Sequence, residues 1–176
     1  MSRDSRWVPL AEVARPHGVR GEVRLNVFNE ASDTLLHQDE VLVRMPDGKE
    51  HEVSVDAARR ADKAILLKLH SVDDRDRAED LRGATICVRR SVLPALEDGE
   101  FYNVDVEGAE ARLREGEAER RVGVVERVEE YPTAMVLVVK LDAGKRVEIP
   151  LTNDFVERVD GAAGVVVLTT VEGVEG

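Results

Sequence analysis

Short runs of alternating or continuous apolar residues, separated by turn-forming residues, are the feature that most constrains the fold. Long helical periodicity is scarce, whereas valine, which favours strands, is plentiful. The sequence PDGK at residues 46–49 indicates a tight turn between two such runs. Six runs in the first half predict six short strands, a number that commonly closes into a small barrel. The predicted strands are residues 10–14, 22–28, 40–44, 51–55, 64–69 and 84–88.

One helix is predicted within the first half, in the sequence DDRDRAEDLRG at residues 73–83. Either of the two leading aspartates can cap its first turn, and Gly83 can end it. Ala78 and Leu81 share one helical face. We therefore expect this helix to cover one end of the barrel.

The second half again indicates short strands, and a second small barrel is the simplest interpretation. Pro94 interrupts the pattern, which resumes after Gly99, so residues 91–99 are the predicted linker between domains at 8–90 and 100–172. The predicted class is all-β, two small β-barrels with one short helix. The polar sequence REGEAERR, residues 114–121, is interpreted as an exposed loop. The predicted strands are residues 101–106, 121–129, 135–141, 146–150 and 164–170.

Charge is distributed unevenly along the chain, whose formal net charge is −11. Residues 1–90 hold 16 basic and 17 acidic side chains, whereas residues 91–176 hold nine and 19. An acidic half would repel nucleic acid and suit a basic protein, while a nearly neutral half can still carry a local cationic patch. The alternative is that the acidity serves solubility alone.

The sequence ARPHGVRGEVRL, residues 14–25, is the strongest candidate for such a patch. Pro16 fixes its own backbone angle, and Gly18 and Gly21 can adopt positive φ, so a defined loop is expected. It would project cationic groups suited to phosphate. The alternatives are an ordinary strand connection with solvated arginines, and pairing of Arg15 or Arg20 with Glu12 or Glu22 on neighbouring strands. The candidate residues are Arg15, His17, Arg20 and, from the outward face of the next strand, Arg24.

Aromatic residues are rare, and four of the six lie in the second half: Phe101, Tyr102, Tyr131 and Phe155. Adjacent strand residues face opposite sides, so Phe101 and Tyr102 are not expected to enter one core together. One of them would anchor a partner protein, or be buried between the two domains. Both interpretations stay open at this point.

No catalytic arrangement is recognisable. The four histidines lack metalloprotease spacing, and the single cysteine, Cys87, is expected to be buried and reduced. Neither a phosphate-binding glycine loop nor a signal or membrane segment is found, which predicts a cytoplasmic, non-enzymatic protein without cofactor or metal. Asp73, Asp74 and Asp76 are better explained by helix capping than by a calcium loop, which needs a glycine and a distant glutamate.

Four motifs occur in an order that resembles the bacterial ribosome maturation factor RimM family. They are RPHGVRGEVRL, LKLHSVDDRDRAEDLRGATICV, LPALEDGEFYNVDVEG and VEIPLTNDFVERVD. The resemblance implies a translation-factor-type barrel followed by a PRC-type barrel. It also implies a monomeric assembly factor that binds the immature small ribosomal subunit and its ribosomal RNA, aids head assembly and RNA processing, and contacts the small-subunit ribosomal head protein numbered nineteen.

The resemblance assigns roles to matching residues. The glycine–arginine motif corresponds to His17, Gly18, Arg20, Gly21 and Arg24, and the aromatic pair to Phe101 and Tyr102. This chain has phenylalanine where the first tyrosine is usual, Asn103 where tryptophan often follows, and Leu151 where phenylalanine is usual. Tyr102 is therefore the stronger anchor candidate. The expected partner-protein site is Phe101, Tyr102, Leu151 and Phe155. A magnesium-dependent ribonuclease and a scaffold for a non-ribosomal partner are the alternatives.

Overall fold

The structure, a computed structural model, describes residues 6–94 and 101–172. The chain separates into two compact units that divide after residue 95. The predicted linker, 91–99, is described as far as Pro94. It begins inside a single 3-10 turn, Arg90–Val92. Its remainder lies outside the described residues.

The first unit contains the six predicted strands, each observed at or around its predicted position. Their hydrogen-bonded order is β1-β2-β5-β4-β3-β6, and β6 pairs back with β1, which makes a closed barrel. Buried side chains from five of the strands fill its interior, and partly buried residues of β4, among them Val53 and Val55, pack against them. The strands are β1 Trp7–His17, β2 Glu22–Val27, β3 Glu40–Arg44, β4 Glu50–Ala61, β5 Ala64–Leu69 and β6 Thr85–Arg89.

Two strands are longer than predicted because bulges break their alternation. β1 shifts register between Pro9 and Ala11 and again between Val13 and Arg15. β4 shifts between Val55 and Ala57 and continues as an exposed, polar strand. A bulge moves later side chains to the opposite face, so the period-two pattern stops although the strand does not.

The predicted helix is confirmed as α1, Arg75–Glu79. A separate 3-10 turn, Thr34–His37, lies between β2 and β3. The Asp74 carboxylate caps α1 by accepting a hydrogen bond of 2.8 Å from the Arg77 amide. Ala78 is fully buried in the barrel core. The helix therefore closes one end of the barrel, as expected.

The second unit is one sheet with the order β10-β9-β8-β7-β12-β11, in which β12 and β7 run parallel. Within the described residues β10 and β11 are its two ends, so the second closed barrel stays a prediction. β9 lies between β8 and β10, and its residues 136–139 are all buried, as its continuous apolar sequence predicts. The strands are β7 Glu110–Glu115, β8 Ala118–Tyr131, β9 Ala134–Leu141, β10 Arg146–Pro150, β11 Val156–Asp160 and β12 Val165–Leu168.

Two predictions for this unit are wrong. Residues 101–106 are not a strand: Phe101 and Tyr102 precede a short helix, α2, Asn103–Val106, whose first turn is closed by the Asp105 amide on the Tyr102 carbonyl. Residues 114–121 are not a loop but the hairpin of β7 and β8, which turns at Gly116 with φ of 66°. Its charged side chains pair with one another in solvent, so no apolar pattern marks these strands.

Candidate nucleic-acid interface

The tip of the β1–β2 hairpin is shorter than the predicted loop. Arg15 and His17 belong to β1, and the turn comprises residues 18–21. Gly18 and Gly21 have φ of 67° and 89°, which confirms the expected need for glycine. A Cβ on Gly21 would lie 1.9 Å from the Val72 carbonyl oxygen. The hairpin tip therefore packs backbone against backbone on the segment that precedes α1.

Alternation along β2 confirms the predicted facing of its side chains. Val23 and Leu25 are buried in the barrel core, whereas Arg24 lies on the outer face. Arg15 is the register partner of Arg24 across the hairpin. The two arginines therefore stand side by side on the outside of the barrel.

Within residues 6–94 and 101–172, no carboxylate lies within 4 Å of Arg15, Arg20 or Arg24, since none takes part in an ion pair there. The predicted alternative, neutralisation by Glu12 or Glu22, is wrong: among the described residues neither is ion-paired with a hairpin arginine, and Glu22 accepts two hydrogen bonds of 3.3 Å from Arg59 on β4. The hairpin thus presents guanidinium groups that are open to an external anion.

Every described arginine of the second unit is, in contrast, held by a carboxylate. Glu119 alone accepts contacts from three guanidinium groups, at 3.0 to 3.7 Å. The paired arginines are Arg112, Arg114, Arg120, Arg121, Arg127, Arg146 and Arg158. Cationic groups of this unit are therefore largely neutralised by its own acids.

Arg75 of α1, which was not among the predicted site residues, supports the hairpin tip. Arg75 donates a hydrogen bond of 3.1 Å to the Gly18 carbonyl, and Arg77 donates one of 2.8 Å to the Ser71 carbonyl. Both cations lie on α1, where they are surrounded in sequence by acids. No local signal distinguishes Arg75, because its contact joins residues that lie 57 positions apart.

The acids of the α1 region are partly engaged by cations. Lys68 hydrogen-bonds the Asp73 carboxylate at 3.0 Å and lowers the pKa of Asp73 from its usual range. Arg82 bonds both oxygens of Glu79 and lowers the pKa of that group. Among the described residues, no cluster of three or more metal-ligating side chains is found. Asp73, Asp74 and Asp76 therefore do not form a metal site in the described structure.

The expected partner-protein residues divide into two kinds. Phe101, Leu151 and Phe155 are partly buried and pack against the core of the second unit. Tyr102 is half-buried and precedes α2. Two exposed apolar side chains carry no recognisable sequence signal: Phe28, which is 61% exposed just after β2, and Val19, which is 74% exposed at the hairpin tip.

No helix within the described ranges is both long and apolar enough to cross a membrane.

Comparisons with known proteins match both units. The family model described as the RimM N-terminal domain matches residues 8–93, and the RimM PRC barrel domain matches residues 103–174. A ribosome maturation factor RimM from Sorangium cellulosum is 47% identical over 170 residues, which cover 97% of this chain and 98% of the relative. Another from Myxococcus xanthus is 34% identical over 175 residues, covering 99% and 92%.

Among solved structures, a 16S ribosomal RNA processing protein RimM from Pseudomonas aeruginosa is 28% identical. That match covers 94% of this chain and 98% of the other, with a TM-score of 0.47. The two family-model matches fall one on each compact unit, and together they span nearly the whole chain.

Proposed function

Because the chain belongs to the RimM family of ribosome maturation factors, we propose that it binds the immature small ribosomal subunit and assists head assembly and ribosomal RNA processing. It acts there as a binding factor and not as an enzyme. The site on the first unit is the hairpin surface formed by Arg15, His17, Arg20 and Arg24, with Gly18 and Gly21 setting the turn.

One observation carries this proposal: the hairpin arginines have no carboxylate partner among the described residues, although the chain is strongly acidic. An unpaired guanidinium binds a phosphate without first losing an internal ion pair. Arginine also matches phosphate geometry through two parallel hydrogen bonds. A strongly structured turn lowers the entropy lost on binding.

The second unit suits a basic protein partner, for which we propose the small-subunit ribosomal head protein numbered nineteen. Its arginines are held internally, so its excess acids determine its surface charge. Tyr102 is the proposed anchor, with Phe101, Leu151 and Phe155 supporting it from the core. In this proposal the factor acts as a cytoplasmic monomer.

Co-sedimentation with immature and mature small subunits, at several salt concentrations, tests the proposal. The chain should associate with immature particles in preference to mature ones. Arg20→Ala should weaken the association and reduce the salt slope by about one unit, the contribution of one phosphate contact.

Lys63→Ala is the matched control, because Lys63 is a 78% exposed cation at the β4–β5 turn, the end of the barrel opposite the hairpin tip. It should leave both the association and its salt slope unchanged. Equal association of the unaltered chain with mature and immature particles would refute a role in maturation through selective binding. An unchanged slope for Arg20→Ala would remove Arg20 from the interface.

A further inference from the structure

A β-bulge at Ala14 determines where Arg15 points. Val13 faces the barrel core opposite Leu25, and in a regular strand the residue two positions later would face the core as well. The register shift between Val13 and Arg15 inserts Ala14, so that Arg15 faces outward opposite Arg24. The next residue, Pro16, turns inward and is buried. Bulges commonly redirect a side chain in this way next to functional sites.

The connection between α1 and β6 holds this bulge in place. Arg82 donates a hydrogen bond of 2.9 Å from Nη1 to the Ala14 carbonyl. The Arg82 guanidinium is itself oriented by both carboxylate oxygens of Glu79, at 2.7 and 3.0 Å. Val13 also exchanges backbone hydrogen bonds with Gly83 and Ala84, at 2.9 and 2.8 Å. The extra residue is therefore fixed by specific contacts.

The bulge therefore places two like charges opposite one another, which is unfavourable while no anion is bound. Cross-strand partners have Cβ atoms about 4.5–5.5 Å apart, and like charges placed directly opposite one another are destabilising. Arg15 and Arg24 hold this position without a carboxylate partner in residues 6–94 or 101–172. An anion placed between the two guanidinium groups would remove the repulsion.

We infer that Arg15 and Arg24 form a clamp for one RNA phosphodiester, which bridges the two guanidinium groups, and that Arg82 is a positioning residue that acts through the Ala14 bulge. This inference rests on the proposed function and names the ligand group of its site. The two non-bridging oxygens of a phosphodiester allow one oxygen to each arginine. A polynucleotide also supplies a neighbouring phosphate for Arg20, which an isolated anion does not.

A double-mutant cycle tests whether the two arginines share one phosphate. The probe is a fluorescent 12-nucleotide oligouridylate, and its affinity is measured by anisotropy over a range of salt concentrations. Arg15→Ala and Arg24→Ala should each weaken binding about fivefold and reduce the salt slope by about 0.7, the value for one single-strand phosphate. The double variant should bind no more than about twofold more weakly than either single variant.

Multiplicative losses in the double variant, with twice the reduction in slope, would overturn the clamp, because they mean two independent contacts. A polyglutamate peptide of similar charge is the second probe. If it binds with the same affinity and the same coupling, the assignment to RNA phosphate is wrong and the surface is an acidic-peptide site. Weak, uncoupled peptide binding supports the phosphate clamp.

Arg82→Met tests the positioning role, with Arg82→Lys as the conservative variant that can still donate to the Ala14 carbonyl. Arg82→Met should weaken oligouridylate binding about as much as Arg15→Ala but cause no further loss when Arg15 is already alanine. Arg82→Lys should restore most of the affinity. A further loss in the Arg15→Ala background would show that Arg82 does not act through Arg15.

Stability provides a readout that does not depend on RNA. Arg15→Gln and Arg24→Gln should each raise the melting temperature by about 1–3 °C at low salt, and the gain should disappear at high salt as the repulsion is screened. A fall in melting temperature at low salt would contradict the stored repulsion. If the chain binds oligouridylate with the expected coupling but does not bind immature subunits, the clamp is supported and the proposed function is refuted.

Discussion

Gly21 is the residue on which the hairpin tip depends most. Its φ of 89° is in the region that favours glycine, and an added Cβ would lie 1.9 Å from the Val72 carbonyl oxygen. Gly21→Ala should therefore lower the free energy of unfolding by about 3 kcal/mol, from backbone strain together with overpacking. Urea denaturation measures this change.

Gly18→Ala is the matched control for Gly21→Ala. Gly18 also has a positive φ, of 67°, but an added Cβ would meet no atom within 4 Å. The expected loss is about 1 kcal/mol, from the left-handed conformation alone. Equal losses for the two variants would show that the contact with Val72 does not constrain the tip.

Cys87 on β6 is fully buried, and desolvation raises the pKa of its thiol. The neutral thiol is thus favoured by folding, and this contribution to stability is lost as the pH rises from the unfolded thiol's pKa through the folded one. At pH 8 we expect a chromogenic disulfide reagent to modify native Cys87 only at the rate of unfolding. The same chain in urea should react completely within the mixing time, and rapid native modification would contradict burial.

At the scale of the element, α1 depends on one cap. The Asp74 carboxylate accepts the Arg77 amide at 2.8 Å, and α1 carries the core residue Ala78 as well as the Arg75 contact to the hairpin. Asp74→Ala should reduce stability by about 1 kcal/mol in urea denaturation, because an N-terminal amide loses its acceptor.

Asp74→Asn is the control for the cap, since asparagine caps helices nearly as well as aspartate. It should retain most of the stability that Asp74→Ala loses. A loss as large as that of alanine would show that the charge of Asp74, and not its hydrogen bond, stabilises α1.

Elements with an apolar alternation were predictable from the sequence, and elements defined by polar pairing were not. β2, β3 and β5 alternate or are continuously apolar, and they lie where predicted. The β7–β8 hairpin was missed because its ends are joined by ion pairs such as Arg120 with Glu115. The hairpin arginines were identified from local sequence, whereas the roles of Arg75 and Arg82 depend on contacts with residues more than 50 positions away.

The segment before α2 allows the two adjacent aromatic residues to be tested against one another. Phe101 packs on the core of the second unit, so Phe101→Ala should lower the free energy of unfolding by about 2 kcal/mol. Tyr102→Ala should instead weaken binding to the proposed head protein by about 1–2 kcal/mol, measured by titration calorimetry. If Tyr102→Ala lowers the melting temperature but leaves the affinity for the head protein unchanged, Tyr102 is a core residue and not an anchor.

At the scale of the whole molecule, the proposed function places RNA binding on a cationic hairpin of a chain whose net charge is −11, which favours selective over general RNA binding. In that proposal the local arginines provide short-range contacts with phosphate, while the remaining acids repel the rest of a polyanion. Specificity then arises partly from disfavouring incorrect ligands. Most second-unit cations are already paired, so its exposed acids dominate that repulsion.

Neutralising three of these acids tests the repulsion. Glu117, Glu130 and Glu148 are exposed, and their replacement by glutamine removes three negative charges without deleting a core contact. The triple variant should bind oligouridylate about two- to fivefold more tightly at low salt, because long-range repulsion falls, and the gain should vanish at high salt. The corresponding triple aspartate variant preserves charge and should bind like the unaltered chain. If the glutamine variant also binds unchanged at low salt, the acidity serves solubility alone, and selectivity must come entirely from the hairpin and the partner protein.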